Sequence, residues 1–287
     1  MEAVAHSAGT AKPRMSAPPG ACDCHIHVYD ARFPATGAGG AILERATAGE
    51  YRRFQARIGT TRAVVVQPRT NGTDNAVTLD AIAQLGRASA KGVAVLRDDA
   101  TDAEIARLDA GGVRGLRFSL HEPQHGVTTF AMIEPLARRI ADRGWHAQLH
   151  LTGDQLAANA ALVERLPCRV VIDHLARLGV PDGRKHPAYA LVRRMLDAGR
   201  TWIKVSGPYL DSRMGGPAWA DIEPLARDLI AAAPERMLWG SDWPHPTERV
   251  SKPDDAEWFD RLAGWTPDEA TRTRILAANP RELYGFD

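Results

Sequence analysis

His25 and His27 stand one residue apart in the stretch Asp23-Cys24-His25-Ile26-His27. Side chains alternate faces along a strand, so Asp23, His25 and His27 are expected on one face, with Cys22, Cys24 and Ile26 on the other. Two imidazoles on one face can grip a metal ion or polarise a carbonyl, and they can equally be hydrogen-bonded core histidines. More polar groups fall at the ends of later apolar runs: His150, His174 and Asp242. Three nitrogens and one oxygen from His25, His27, His150 and Asp242 suit one Zn²⁺ or another borderline divalent ion, with a position open for water. His174 is then expected to face a substrate.

Residues so far apart in sequence need a scaffold that brings strand ends together. Eight short apolar runs alternate with longer helical patterns, beginning at Cys22, Arg62, Gly92, Val113, His146, Arg169, Thr201 and Arg236. Several are apolar on both faces, as strands of a buried parallel sheet must be. Apolar residues at three- and four-residue spacing predict helices over Asp74–Ser89, Phe130–Arg143, Gln155–Arg165 and Ile222–Ala233. Eight βα units in ~250 residues predict a single-domain α/β fold, the (β/α)₈ TIM barrel, over residues 20–287. In such barrels chemistry sits at the carboxyl ends of strands, where Gln67, Arg69, Arg97, Arg117 and Ser206 join the histidines.

Residues 1–19, rich in Ala, Ser, Pro and Gly, are read as a flexible tail without the apolar segment of a signal peptide. The Gly-rich segment Pro34–Ala48 is too long for an ordinary βα turn and reads as a lid or a passive rim loop. With 36 basic against 35 acidic residues, the formal charge of +1 gives no general attraction to nucleic acid or an anionic membrane. No run of about 18 apolar residues is present to span a bilayer. A small-molecule partner is expected. Cys22, Cys24 and Cys168 include a pair too close for a relaxed disulfide and leave one over, which fits a reducing cytoplasm.

The motifs GACDCHIHVYD, VVVQPRTNGTDN, GLRF, VVIDHLAR and LWGSDWPHP together resemble the amidohydrolase superfamily. Within it the chain is similar to the group of 2-pyrone-4,6-dicarboxylate lactonase, 4-sulfomuconolactone hydrolase and sugar lactonases. The resemblance runs from about Gly20 to the terminal NPRELYGF. It implies a hydrolase that opens a small acidic lactone: His25, His27 and His174 polarise the carbonyl, and Asp242 takes a proton from the attacking water. It also implies substrate contacts from Arg69 and Asn71 after the second strand and from Tyr209 and Arg213 after the seventh.

Arg117 stands where many two-metal relatives carry a carboxylated lysine. Its fixed charge opposes a second cation, and its planar fork suits a bidentate grip on a carboxylate or sulfonate. His245 in DWPHP is read either as reaching the site or as fixing its loop. Trp243 is read as core or pocket wall, and the Cys-x-Cys pair as buried packing. At position 150 the metal-independent pyrone lactonase has tyrosine, so His150 reopens the question of a metal. Competing readings are a metal-dependent decarboxylase of the same superfamily, a sugar lactone isomerase and a non-catalytic binding barrel.

Overall fold

Short β-branched strands with no polar face can only be satisfied between two apolar layers, and the chain folds accordingly. In a computed structural model, residues 3–36, 42–180 and 183–287 are described. Among them, eight parallel strands run in sequence order: β1 Cys22–Ile26, β2 Arg62–Val66, β3 Ala90–Ala94, β4 Val113–Ser119, β5 His146–His150, β6 Arg169–Ile172, β7 Thr201–Val205 and β8 Met237–Trp239. Past the end of β8, Asp242 N–H donates to His25 O (2.9 Å) and His27 N–H to Trp243 O (2.8 Å), which closes the ring. This is the expected TIM barrel.

The helices are α1 Ala48–Ile58, α2 Ala76–Leu85, α3 Asp102–Ala110, α4 Phe130–Ala141, α5 Gly153–Ala158, α6 Ala160–Glu164, α7 Pro187–Asp197, α8 Glu223–Ala232, α9 Asp255–Trp265, α10 Glu269–Thr273 and α11 Asn279–Tyr284. The helix expected over Gln155–Arg165 divides at Asn159, which caps the end of α5 and precedes α6. β3 begins two residues before the apolar run suggested, so Arg97 falls beyond the strand, on the surface.

Two apolar clusters occupy the two sides of the strands. The larger lies between strands and helices; the smaller fills the barrel with Cys22, Cys24, Val64, Val66, Val93, Val171, Trp202 and Leu238, closed from below by Leu283, Tyr284 and Phe286. Cys22 and Cys24 are therefore buried packing, as expected, but on the inner side. Simple alternation fails along β1 because Asp23 pairs with Ala63 and Ile26 with Val65, three residues against two. This extra residue is a bulge. It puts Cys24 and His25 on the same side, while Asp23 turns outward to accept from Tyr51 Oη (3.2 Å) and Ser241 Oγ (2.6 Å).

The segment before β1 differs from the loose tail expected. Val4 is buried, Trp243 Nε1 donates to Ala5 O (2.9 Å), and the His6 ring meets Trp243 edge to face. Buried Arg57 of α1 donates to Ser7 Oγ (3.0 Å), Ala8 O (2.8 Å) and Ala11 O (2.8 Å). A buried guanidinium needs acceptors, and this segment supplies them. Of the Pro34–Ala48 loop, residues 37–41 lie outside the described residues; Thr36 is tied to the β2 loop through Thr70 O and Asn71 O.

Candidate active site

β1, β5, β6, β7 and β8 end around one pocket of about 520 Å³ at the carboxyl face, whose walls include His27, His150, His174, Arg117, Tyr209 and Asp242. Buried beneath it, His25 Nε2 lies 3.3 Å from His27 Nε2, and both face Asp242 Oδ1, at 3.5 and 3.6 Å. Gly240 makes this approach feasible: a Cβ there would stand 2.8 Å from His25 Cβ.

Val66 O can only accept, so His27 Nδ1 donates to it (2.9 Å), and in that tautomer Nε2 turns a lone pair to the cluster. His25 Nδ1 has two neighbours, Asp173 Oδ1 at 3.3 Å and Lys204 Nζ at 3.2 Å. Donating to Asp173, His25 also presents an Nε2 lone pair. Accepting from Lys204, it carries its proton on Nε2 and offers it to the cluster. The network behind His25 continues: Lys204 Nζ donates to Gln148 Oε1 (2.8 Å), while Gln148 Nε2 (3.2 Å) and Arg117 Nε (3.1 Å) donate to Asp173 Oδ2. Lys204, Gln148 and Asp173 were not singled out from the sequence. A lysine and a glutamine at alternating positions inside apolar strands were the available signal.

His174 enters on a left-handed turn in which His174, Leu175, Ala176 and Arg177 all have φ between 49° and 58°. Consecutive non-glycine residues in this region are strained and need outside support. Ser206 Oγ, 2.9 Å from His174 Nδ1, and Asp211, gripped by Arg177 Nε and Nη2, provide it. Ligand atoms of His25, His174 and Asp242 lie within 4.8 Å of one another.

The structure does not bring His150 into the close donor group. Its Nδ1 meets Ser119 Oγ (3.2 Å), and its buried Nε2 has no partner among the described residues. The structure thus groups His25, His27 and Asp242, with His174 adjoining, and leaves His150 beside Ser119. Tetrahedral donors at ordinary Zn–N and Zn–O distances stand about 3.3 Å apart, which the 3.3, 3.5 and 3.6 Å separations approach. Three acceptor atoms converging in a buried place need a cation or a proton between them, and this donor set fits a single divalent ion.

Burial by itself would raise the Asp242 carboxyl, but the imidazoles of His174, His27 and His25 outweigh it and hold it well below the usual carboxylate range. Burial pushes His25 well below the ordinary histidine value, helped by the Lys204 charge, and lowers His174 as well. Asp173, also buried, is held well below its usual range by His25, Lys204 and Arg117. The site therefore holds the Asp242 carboxylate toward its ionised form and His25 and His174 toward the neutral form.

Of the expected substrate contacts, Arg117, Arg69 and Tyr209 line the pocket. Arg117 is buried and spends only Nε on Asp173, leaving its terminal nitrogens without a protein acceptor among the described residues. Arg69 is paired with Glu122 at 2.6 Å. Asn71 is corrected: buried outside the pocket, it donates to Phe33 O (3.2 Å) and Pro34 O (3.3 Å), pinning the rim loop. Arg213 is exposed and outside the pocket wall, its backbone N–H held by Asp221. His245 is fully buried and has both ring nitrogens engaged, by Tyr209 Oη at 3.1 Å and Asp255 Oδ2 at 3.0 Å, so it fixes structure rather than touching substrate. Trp243 packs with Tyr51 and Phe54 as core. Arg177, Arg249 and His121 join the wall, brought there by loops whose course the sequence does not reveal.

The family model described as amidohydrolase matches residues 22–286. D-galactarolactone isomerase of Agrobacterium fabrum is 31% identical, over 99% of this chain and 97% of that protein. 2-Pyrone-4,6-dicarboxylate hydrolase of Comamonas testosteroni is 32% identical, over 96% of this chain and 94% of its own length. Among solved structures, an apo protein of Agrobacterium tumefaciens superposes with a TM-score of 0.90 at 28% identity, covering 98% of this chain and 99% of that one. Barrel, strand-end histidines, closing aspartate and a family match over nearly the whole length lead to one conclusion: the chain belongs to the amidohydrolase family.

Proposed function

We propose that the protein is an enzyme that opens the ring of a small lactone bearing one or more acidic groups, by adding water to the lactone carbonyl. The observation that carries this reading is Asp242 Oδ1 facing the Nε2 atoms of His25 and His27 at 3.5 and 3.6 Å, in a pocket that Arg117 also lines. A base, a polarising imidazole pair and an anion grip are what hydrolysis of an acidic lactone requires. The full-length similarity to a lactone isomerase and a pyrone dicarboxylate hydrolase supports the substrate class.

In this reading the Arg117 fork binds an acidic group of the substrate and sets the carbonyl over the histidines. Asp242 removes a proton from water as its oxygen adds to the carbonyl carbon. The ring C–O bond then breaks, and the ring oxygen takes up the proton that Asp242 holds. His174, aimed into the pocket by Ser206, stabilises the oxygen on which charge develops. A divalent ion of the zinc type, held by His25, His27 and Asp242, would polarise the carbonyl and lower the pKa of water. Without it, the tautomer set by Lys204 lets His25 donate to the same oxygen. The three unpaired, buried cysteines accord with a reducing cytoplasm, where we place the enzyme.

A lactone isomerase is the second reading, favoured by the D-galactarolactone relative. Incubation with 2-pyrone-4,6-dicarboxylate and D-galactarolactone, followed by proton release and product identification, tests both. Net hydrolysis supports the proposal, rearrangement without hydrolysis supports the isomerase, and carbon dioxide release without ring opening overturns both. Elemental analysis is expected to find about one divalent ion per chain, and a metal-free, fully active preparation would remove the metal from this account.

A further inference from the structure

Asp242 is the first of four groups joined in a line through the barrel wall. Tyr209 Oη lies 2.5 Å from Asp242 Oδ2, His245 Nδ1 lies 3.1 Å from Tyr209 Oη, and His245 Nε2 lies 3.0 Å from Asp255 Oδ2. His245 and Asp255 are completely buried, and neither borders the pocket.

Donor counting fixes the direction of these contacts. The Asp242 carboxylate only accepts, so the proton in its contact with Tyr209 is the phenolic one. A phenol has a single proton, so the contact between Tyr209 and His245 must use a proton on Nδ1. The last contact needs another proton, between Nε2 and Asp255. Three contacts therefore hold three protons, and the first fixes the direction of the second.

From this line of donors we infer that His245 and Asp255 are positioning residues for the base. They orient Tyr209 so that its hydroxyl always donates to Asp242 Oδ2, which fixes the plane of the carboxylate and keeps Oδ1 turned to the imidazoles. The inference rests on Asp242 being the base. The fold supports the line at both ends: Asp255 opens α9 with its N–H on Ser7 Oγ (3.3 Å), and Lys252 Nζ donates to His245 O (2.7 Å). Asp242 and His245 both have positive φ, 66° and 54°, so the loop presenting them depends on such external ties. Asp255 lies on α9, ten residues beyond His245 and outside the strand-end motifs, which is why sequence inspection does not connect it with Asp242.

The test uses the full-length protein and whichever of 2-pyrone-4,6-dicarboxylate and D-galactarolactone it converts faster. His245→Gln and Asp255→Asn are each expected to lower kcat by about 10-fold or more with little change in KM. In a Tyr209→Phe background, His245→Gln is expected to cost less than about 2-fold further, because the line is already cut. Losses that multiply, or a rise in KM alone, overturn the inference. ¹⁵N-histidine NMR gives a readout that needs no substrate: His245 should carry a proton on Nδ1 whose signal moves in Tyr209→Phe, and a bare Nδ1 refutes the line. Asp255→Asn provides the same test should His245→Gln fail to fold. Asp242→Asn separates the two claims, since retained turnover there overturns the base assignment while the NMR result still reports on the line.

Discussion

Lys204 Nζ, with no exposure to solvent, lies 3.2 Å from His25 Nδ1 and 3.6 Å from Asp173 Oδ1. A cation is thus built into the barrel directly behind the histidine that opens the site. Removing one member of a buried charge network leaves the others uncompensated. Lys204→Met is expected to destabilise the protein by about 3–5 kcal/mol. Asp173→Asn should do likewise, and the pair together should cost clearly less than the sum of the two. Urea denaturation of the four proteins checks this, and strict additivity would show that the two side chains do not interact.

Asp242→Asn keeps the shape of the carboxylate and removes its basicity. Turnover is expected to fall by about 10²–10⁴-fold. The competitive affinity of an unreactive dicarboxylate, measured by calorimetry, should change much less. Equal losses of binding and turnover would assign Asp242 to substrate binding instead.

Arg117→Met removes the anion grip and also one donor to Asp173. A charge-assisted contact contributes about 1.5–3 kcal/mol, so KM for an acidic lactone should rise by roughly 10- to 100-fold. A neutral lactone lacking the acid group should show no comparable rise. Equal effects on both substrates would mean that Arg117 acts through Asp173 alone.

The pH dependence follows from burial. His25 and His174 titrate below the ordinary histidine value, and Asp242 below the usual carboxylate range. kcat/KM is therefore expected to stay level from about pH 6.5 to pH 8 and to fall only on further acidification. Stability should behave differently. His146, buried at the barrel floor, is lowered to about 3, first by burial and then by the Lys204 charge. The unfolded chain takes up this proton near 6.5 and the folded chain only near 3, so stability is lost as pH falls between those values. His146→Gln should reduce that slope in denaturation curves collected at several pH values; an unchanged slope would place the titration elsewhere.

Deleting residues 1–12 removes three acceptors of Arg57 and uncovers Trp243. A fall in Tm of about 5–10 °C is expected, at roughly 2–4 °C per kcal/mol for a chain of this size. An unchanged Tm would show that the segment is loose in solution, as its composition alone suggests.

The barrel and most of its chemistry were legible because both depend on local patterns. Apolar runs of strand length, helical spacing between them and polar residues at run ends are set by backbone geometry over a few residues. Those patterns indicated His25, His27, His174, Asp242 and Arg117, and the family resemblance added Tyr209; all meet in or directly beneath one pocket. Asn71 and Arg213 lie outside the pocket and His245 takes the loop-fixing one of its two expected roles, because nearness in sequence to a strand end does not tell which way a loop residue points. The inner network of Lys204, Gln148 and Asp173 escaped notice because a polar residue inside an apolar strand declares its partners only once the barrel closes.

The opening histidines show the division most clearly. Strand-end residue types placed two imidazoles, a terminal aspartate and an arginine in a barrel, and the motifs around them carried the resemblance to the family. Which atoms converge depends on how the barrel closes. The bulge in β1 shifts the alternation by one residue, a change that depends on pairing with β2 and leaves no mark in the stretch itself. Ring closure with β8 then brings Asp242 to His25 and His27, while His150 stays apart beside Ser119. Hydrogen-bond register between distant strands, rather than local periodicity, fixes distances of a few ångströms.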